Sequence, residues 1–259
     1  MTPSFPETLP ILEAGAANSR TALVLHGGGG PQTVTPIVGH LATTMHVFAP
    51  THPGWDGTRR PDAIASIADL AAAYLEFLLE RGENDVVVIG SSIGGWIALE
   101  MAIQSAAEER YAGLIGGVID IDGVGAVIEG ETIADFFALD AHQLAEAAWH
   151  NPALGYRNPA AFSDEQRAIQ QSNGQTMAVI AGRSMSDATL LGRLGSVTVP
   201  TLVVFGESDG IVTPAYGRSV AHAIPGAEFA VVPAAGHLPH LEAPEATWAI
   251  IDPFLNRTR

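Results

Sequence analysis

VVVIGSSIGGW, residues 86–96, sets four β-branched residues ahead of two serines and two glycines, and the apolar run IALEMAIQSA follows it. That order reads as a buried strand, a tight turn and a helix. Only one register satisfies Gly-x-Ser-x-Gly, with Gly90 and Gly94 flanking Ser92; centring on Ser91 would need glycine at Ile89 and Ile93. A nucleophile on so sharp a turn holds a strained backbone, and glycines two residues away relieve the crowding. Ser92 is therefore the candidate nucleophile, and Ser91 a neighbour expected to hydrogen-bond nearby backbone. The bland alternative is a small-residue turn that lets a helix pack close to a strand.

A serine hydroxyl is a weak nucleophile near neutral pH and needs a base held in one tautomer. His237 follows the strand-like AEFAVVP and precedes the last helical pattern, with His240 close by. Either can reach such a serine. For the acid, Asp209 lies just past PTLVVFG, while Asp120 and Asp122 compete from the end of GVIDIDG. Serine, aspartate, histidine is the chain order expected of a serine elbow on an α/β sheet. An oxyanion needs donors, and HGGGG at 26–30 can turn bare backbone inward, so the N–H groups of Gly28 and Ile93 form the candidate oxyanion hole. A phosphate loop is disfavoured there, because GxGxxG spacing and lysine are both absent.

Outward from this turn, short apolar runs alternate with helical patterns, the signature of βαβ units and a parallel sheet. The predicted strands are 21–27, 46–50, 86–91, 117–123, 200–206 and 227–233, mostly continuous apolar runs as expected of strands covered on both faces. Ile64, Ile67, Leu70, Tyr74, Leu78 and Leu79 recur at helical spacing, with a capping box from Ser66 to Asp69 and Gly82 as terminator. A last helix spans about 244–255. The alternation fails over 126–196, where no strand pattern appears and three helical stretches are predicted, at 131–150, 163–181 and 184–194. The chain therefore divides into an α/β core, 1–125 and 197–259, and a helical insertion, 126–196. Phe136, Phe137, Trp149, Tyr156, Phe162, Met177 and Met185 are expected mostly to form the insertion's own core, with a few of them roofing an apolar pocket.

The 259 residues are 47% apolar and 15% charged, enough to bury a substantial core. A net charge of -16 opposes contact with phosphate backbones, so no nucleic-acid partner is expected. All 12 basic residues are arginine, which removes a lysine Schiff base and a Ser/Lys dyad. Cysteine is absent too, excluding disulfides and thiolate nucleophiles. No HExxH or tight histidine and carboxylate cluster is apparent, so neither metal nor cofactor is expected. His40, His46 and His222 read as surface or satisfied histidines. Residues 1–10 lack the features of a secretory leader, and the longest charge-free apolar run, 86–99, is too short to span a bilayer. A cytoplasmic protein without membrane contact is expected, and a homodimer is compatible with the sequence.

Taken together, LVLHGGGG, THPGWDGT, GSSIGG, LVVFGESDGIVTP and AGHLPHLEAPE resemble, in order and over nearly the whole chain, the α/β-hydrolase fold family. The resemblance implies a mostly parallel, doubly wound sheet of about seven strands with the insertion as a helical cap. It also implies Ser92 as nucleophile, Asp209 as acid, His237 rather than His240 as base, and Gly28 and Ile93 as oxyanion donors. His26 becomes a structural residue. Two departures stand out. Only about 20 residues precede TALVLHG, room for one strand such as LPILEAG, so the family's outermost strand is expected to be missing. The loop also carries glycine where relatives often place a bulky residue after HG, which predicts a wider acyl side of the pocket.

The expected activity is cofactor-independent hydrolysis of small to medium apolar carboxylic esters through an acyl-enzyme. A serine-dependent carbon-carbon bond hydrolase of dicarbonyl compounds is the rival, and an arginine of the insertion (Arg157, Arg167, Arg183 or Arg193) holding a substrate carboxylate would favour it. A non-catalytic ligand-binding protein of the same fold is the third possibility. Epoxide hydrolases and dehalogenases of the fold are disfavoured, since they carry aspartate where this chain has Ser92.

Overall fold

A computed structural model of the chain describes residues 5–6 and 8–258. The residues read for a leader, 1–10, include 1–4 and 7, which lie outside the described residues. Strand β1 (Ile11–Ala14) precedes β2 (Thr21–Leu25), helix α1 (Thr35–Leu41), β3 (His46–Pro50), α2 (Ile67–Glu80), β4 (Val86–Ser91), α3 (Ile93–Ala107) and β5 (Ile115–Ile121). The segment that follows holds β6 (Gly125–Ala126), α4 (Ala141–Ala148), α5 (Pro152–Gly155), α6 (Asp164–Ile180), β7 (Ser186–Asp187) and α7 (Leu190–Arg193). The core resumes with β8 (Thr201–Gly206), α8 (Pro214–Ala223), β9 (Glu228–Val232), α9 (Pro239–Glu242) and α10 (Pro244–Arg257).

The main sheet has seven strands in the order β1-β3-β2-β4-β5-β8-β9, parallel except for β1, which runs antiparallel to β3. LPILEAG thus supplies the single strand expected of it. Alternate residues of each parallel strand enter opposite layers. Leu23, Leu25, Val86, Val88, Val203 and Phe205 pack toward α2, α3 and α8, whereas Ala22, Val24, Val87, Ile89, Leu202 and Val204 pack toward α1 and α10. With both faces covered, each buried valine or leucine contributes roughly 1.5–3 kcal/mol. The strands are continuous apolar runs for that reason.

Helix α2 begins where Ser66 Oγ accepts from Asp69 N at 3.1 Å and donates to its carboxylate at 2.8 Å. Ile64 is buried but precedes the helix, and Leu79, expected on the buried stripe, is 38% exposed. The packed stripe is Ile67, Leu70, Tyr74 and Leu78. Helix α3 is buried all round as far as Ile103, wedged between the sheet and α2, so the turn that launches it cannot shift independently.

Two readings of 126–196 need correction. Of the helix expected at 131–150, only α4 forms, from an Asp140 and Gln143 capping box. The stretch at 184–194 divides into β7 and the short α7, and β7 pairs in parallel with β6 through two residues. So short a ladder has no periodicity to detect. It nonetheless joins the two ends of the excursion, aided by Arg193, whose guanidinium reaches both oxygens of buried Glu100 at 3.0 and 2.7 Å and Asp187 at 2.8 Å.

Candidate active site

Ser92 stands between β4 and α3 at φ 57°, ψ -117°, a left-handed conformation that costs a side-chain-bearing residue free energy. Close packing enforces it. A Cβ on Gly90 would lie 2.0 Å from Gly94 O, and one on Gly94 would lie 2.1 Å from Leu25 O. Strand β2, the turn and the first turn of α3 therefore touch backbone to backbone, and the Ser92 side chain is turned out of the sheet's upper edge. Ser91 is fully buried and its hydroxyl has no hydrogen-bond partner among the described residues, contrary to the backbone bond expected of it.

His237 Nδ1–H donates to Asp209 Oδ2 at 2.7 Å, with both side chains buried. The other Asp209 oxygen accepts from Ile211 N at 2.8 Å and Val212 N at 3.1 Å, so the carboxylate is fixed before the imidazole reaches it. With Nδ1 committed, Nε2 is left as the basic nitrogen. Ser92 and His237 line one cavity, although the Ser92 hydroxyl makes no hydrogen bond to the ring among the described residues, as is common before a substrate tightens a site. His240 points elsewhere: its Nε2–H donates to Thr33 O at 2.9 Å, and burial holds its pKa down at about 4. His26 is structural as expected, donating from Nδ1 to Gly27 O and accepting at Nε2 from His52 N. Its pKa is also lowered to about 4 by burial.

The HGGGG loop lies against the turn, since a Cβ on Gly27 would sit 3.0 Å from Ser92 Cβ. Ile93 opens α3, so its N–H belongs to the first turn, whose donors lack intrahelical acceptors and whose dipole favours negative charge. Gly28 does not leave a wider pocket. Met177 Sδ of α6 occupies the space, 2.8 Å from where a Gly28 Cβ would be. Helix α6 supplies the bulk that the loop lacks.

Residues 22–250 match the alpha/beta hydrolase family. The chain belongs to that family. Among its relatives, a pimeloyl-[acyl-carrier protein] methyl ester esterase of Aromatoleum aromaticum is 25% identical over 91% of this chain and 98% of that protein. Polyketide synthase ThaQ of Burkholderia thailandensis is 28% identical over 96% of this chain, which spans only 13% of that much longer protein. A thermophilic esterase from Thermogutta terrifontis shares the fold, with TM-score 0.75 at 20% identity over 96% of this chain and 93% of that one. No helix of the described residues is long and apolar enough to cross a membrane.

In this alpha/beta hydrolase the cavity measures about 310 Å³ and is walled by both parts of the chain. Phe136, Trp149, Phe162, Met177 and Met185 line it, so most of the aromatic and methionine residues assigned to the insertion's own core are pocket wall instead. Of the four arginines considered for a substrate carboxylate, only Arg157 lines the cavity. Arg193 is bound to Glu100 and Asp187, Arg167 to Asp164 and the Phe162 carbonyl, and Arg183 lies over the Phe137 ring.

Sequence reasoning missed Glu242, which ties the end of α4 to the loop that carries His237. Its carboxylate accepts from Gly236 N at 2.7 Å and from His150 N and Asn151 N, each at 3.0 Å. Beside it, His237 N donates to Ala148 O and Gly210 N to Ala147 O, both at 2.8 Å. The C-terminal end of α4 is thereby bonded to the loops that carry Asp209 and His237. No sequence signal marks the contacts to residues 147–151, because they join residues about 60 to 95 positions apart and each uses a backbone atom of that segment. Contrary to the sequence expectation, a tight histidine and carboxylate cluster does form, from Asp122, Asp209 and His237; amides and the imidazole engage Asp209, and the Gly206 amide engages one oxygen of Asp122.

Proposed function

We propose that this protein is a serine hydrolase that cleaves carboxylic esters through an acyl-enzyme. The observation that carries the reading is a serine on a left-handed strand-to-helix turn sharing an apolar cavity with an Asp-oriented histidine. His237 Nε2 removes the Ser92 proton as Oγ attacks the ester carbonyl, and Asp209 stabilises the imidazolium that forms. The Gly28 and Ile93 amides receive the oxyanion, each such donor being worth about 3–4 kcal/mol. The imidazolium then protonates the departing alcohol, and a water activated by the same nitrogen releases the acid. Residues 126–196 act as a cap that closes the pocket. Similarity to a protein named as a methyl ester esterase supports the choice of ester bonds.

Two measurements test this. A fluorophosphonate probe should form a single adduct on Ser92, and p-nitrophenyl esters of graded acyl length should be cleaved best at short to medium chains, about four to eight carbons, as suits a cavity of this class. Absence of any adduct would instead leave a ligand-binding protein.

Arg157 carries a second reading, hydrolysis of a carbon-carbon bond in a dicarbonyl acid. It reaches the cavity wall and has no hydrogen bond or ion pair to another described residue. Comparing p-nitrophenyl acetate with a vinylogous dicarbonyl acid separates the two reactions. If an anionic substrate is used, Arg157→Gln should raise its KM about tenfold, the worth of one charge-assisted hydrogen bond, and leave the neutral ester unaffected. Equal effects on both would remove Arg157 from substrate recognition.

A further inference from the structure

The acid side of the site holds a second buried carboxyl group that this mechanism does not use. Asp122 follows β5 at φ 49° and is fully buried. Its Oδ1 accepts from Gly206 N at 2.8 Å, while Oδ2 has no hydrogen-bond partner among the described residues. An oxygen of Asp122, an oxygen of Asp209 and a ring nitrogen of His237 all lie within 4.8 Å of one another, so the Asp122 and Asp209 carboxyl groups are buried side by side. Asp209 accepts from two amides and His237, which leaves room on an ionised carboxylate for one more donor.

The titratable groups facing Asp122 are Asp209, Asp120 and, across Asp209, His237. No arginine is among them, and the chain has no lysine. Two adjacent anions in such a place would repel strongly, and one must keep its proton. Asp209 is the one with two amides and an imidazole to support a charge.

Resting on the triad assigned above, we propose that Asp122 is a positioning residue that stays a neutral carboxylic acid and donates its O–H to the Asp209 carboxylate. It holds Asp209 with one oxygen toward His237 and limits the pair to a single negative charge. Burial first, and the Asp209 charge second, push the Asp122 pKa well above its ordinary 3.8.

The sign of the stability linkage follows. Above pH 4 an unfolded chain releases this proton and the folded chain keeps it, so Asp122 lowers stability progressively as pH rises toward its folded value. The amide of an Asp122→Asn variant cannot titrate but still offers an N–H in place of the O–H.

The test compares wild type, Asp122→Asn and Asp122→Ala by thermal unfolding and by kcat/KM against pH. The Asp122→Asn variant should gain stability relative to wild type as pH increases from 4 to 8. It should also keep kcat/KM within about fivefold, whereas Asp122→Ala should lose about ten- to a hundredfold, the range for one missing hydrogen bond to a charged group. Asp122→Ala should also shift the acid limb of its profile to higher pH, because an Asp209 short of one donor attracts the imidazolium more strongly. A merely structural residue would lower the unfolding temperature and leave that limb in place. A stability difference between wild type and Asp122→Asn that is flat with pH, or equal losses of kcat/KM in the two variants, would overturn the proposal. The unfolding experiment needs no substrate, so a flat result there refutes the neutral acid even if Ser92 is the nucleophile, and a sloping one upholds it even if Ser92 is not.

Discussion

Ser92→Ala is expected to reduce kcat by about 10⁴- to 10⁶-fold, the loss seen when the nucleophile of a serine triad is removed. The fold should not register the change. The Ser92 hydroxyl makes no hydrogen bond among the described residues, and alanine suffers the same left-handed strain at φ 57° as serine does. The unfolding temperature should therefore stay within about 2 °C, corresponding to about 0.5–1 kcal/mol in a chain of this size. Substrate binding should also persist, since the cavity walls are untouched. Turnover above about 1% of wild type, with contaminating activity excluded by the fluorophosphonate probe, would remove Ser92 from the mechanism.

Gly94→Ala is expected to act in the opposite way, on the fold more than on the chemistry. A Cβ there would stand 2.1 Å from Leu25 O and 2.9 Å from His26 O, both backbone atoms of the central sheet region. Neither can rotate aside as a side chain would. Because α3 is buried on all sides, the helix cannot lift away without opening its contacts with α2 and the sheet. A loss of about 3–5 kcal/mol is expected, among the largest for single substitutions and a large part of a typical domain's stability. At about 2–4 °C per kcal/mol, that lowers the unfolding temperature by about 10 °C. Gly39→Ala is the control: Gly39 is on the exposed face of α1 with nothing within 4 Å of the added carbon, and the change should stabilise by about 0.5–1 kcal/mol. A Gly94→Ala protein as stable as wild type would mean that the turn is less tightly wedged than these distances require.

The parts of the site legible in the sequence are those that local chemistry dictates. Gly90 and Gly94 mark the turn because no other residue fits against neighbouring backbone, and Asp209 and His237 can be found because loops after parallel strands converge at one edge of the sheet. The choice between Asp209 and Asp122 is not legible from residue types, since both follow strands that end beside each other. It turns on which carboxylate the His237 ring meets. Met177 reads as helical core because its spacing in α6 fits one, and only the packing of α6 over Gly28 makes it pocket wall. The arginines show the same limit: Arg193 and Arg157 are alike in sequence, and the difference lies in Glu100 and Asp187, 93 and 6 positions away.

The bonds from the end of α4 bear on how this protein can be rebuilt. An excursion whose ends are joined by a two-residue ladder looks like a detachable module, to be exchanged for another in search of new specificity. Excising it would strip the acceptors from the His237 and Gly210 amides and two of the three donors from Glu242, beside the very loops a graft is meant to preserve. The transplantable unit is accordingly smaller than the excursion. Residues 147–151 belong with the host, and diversity is better sought in α5 and α6, which shape the cavity without holding the base.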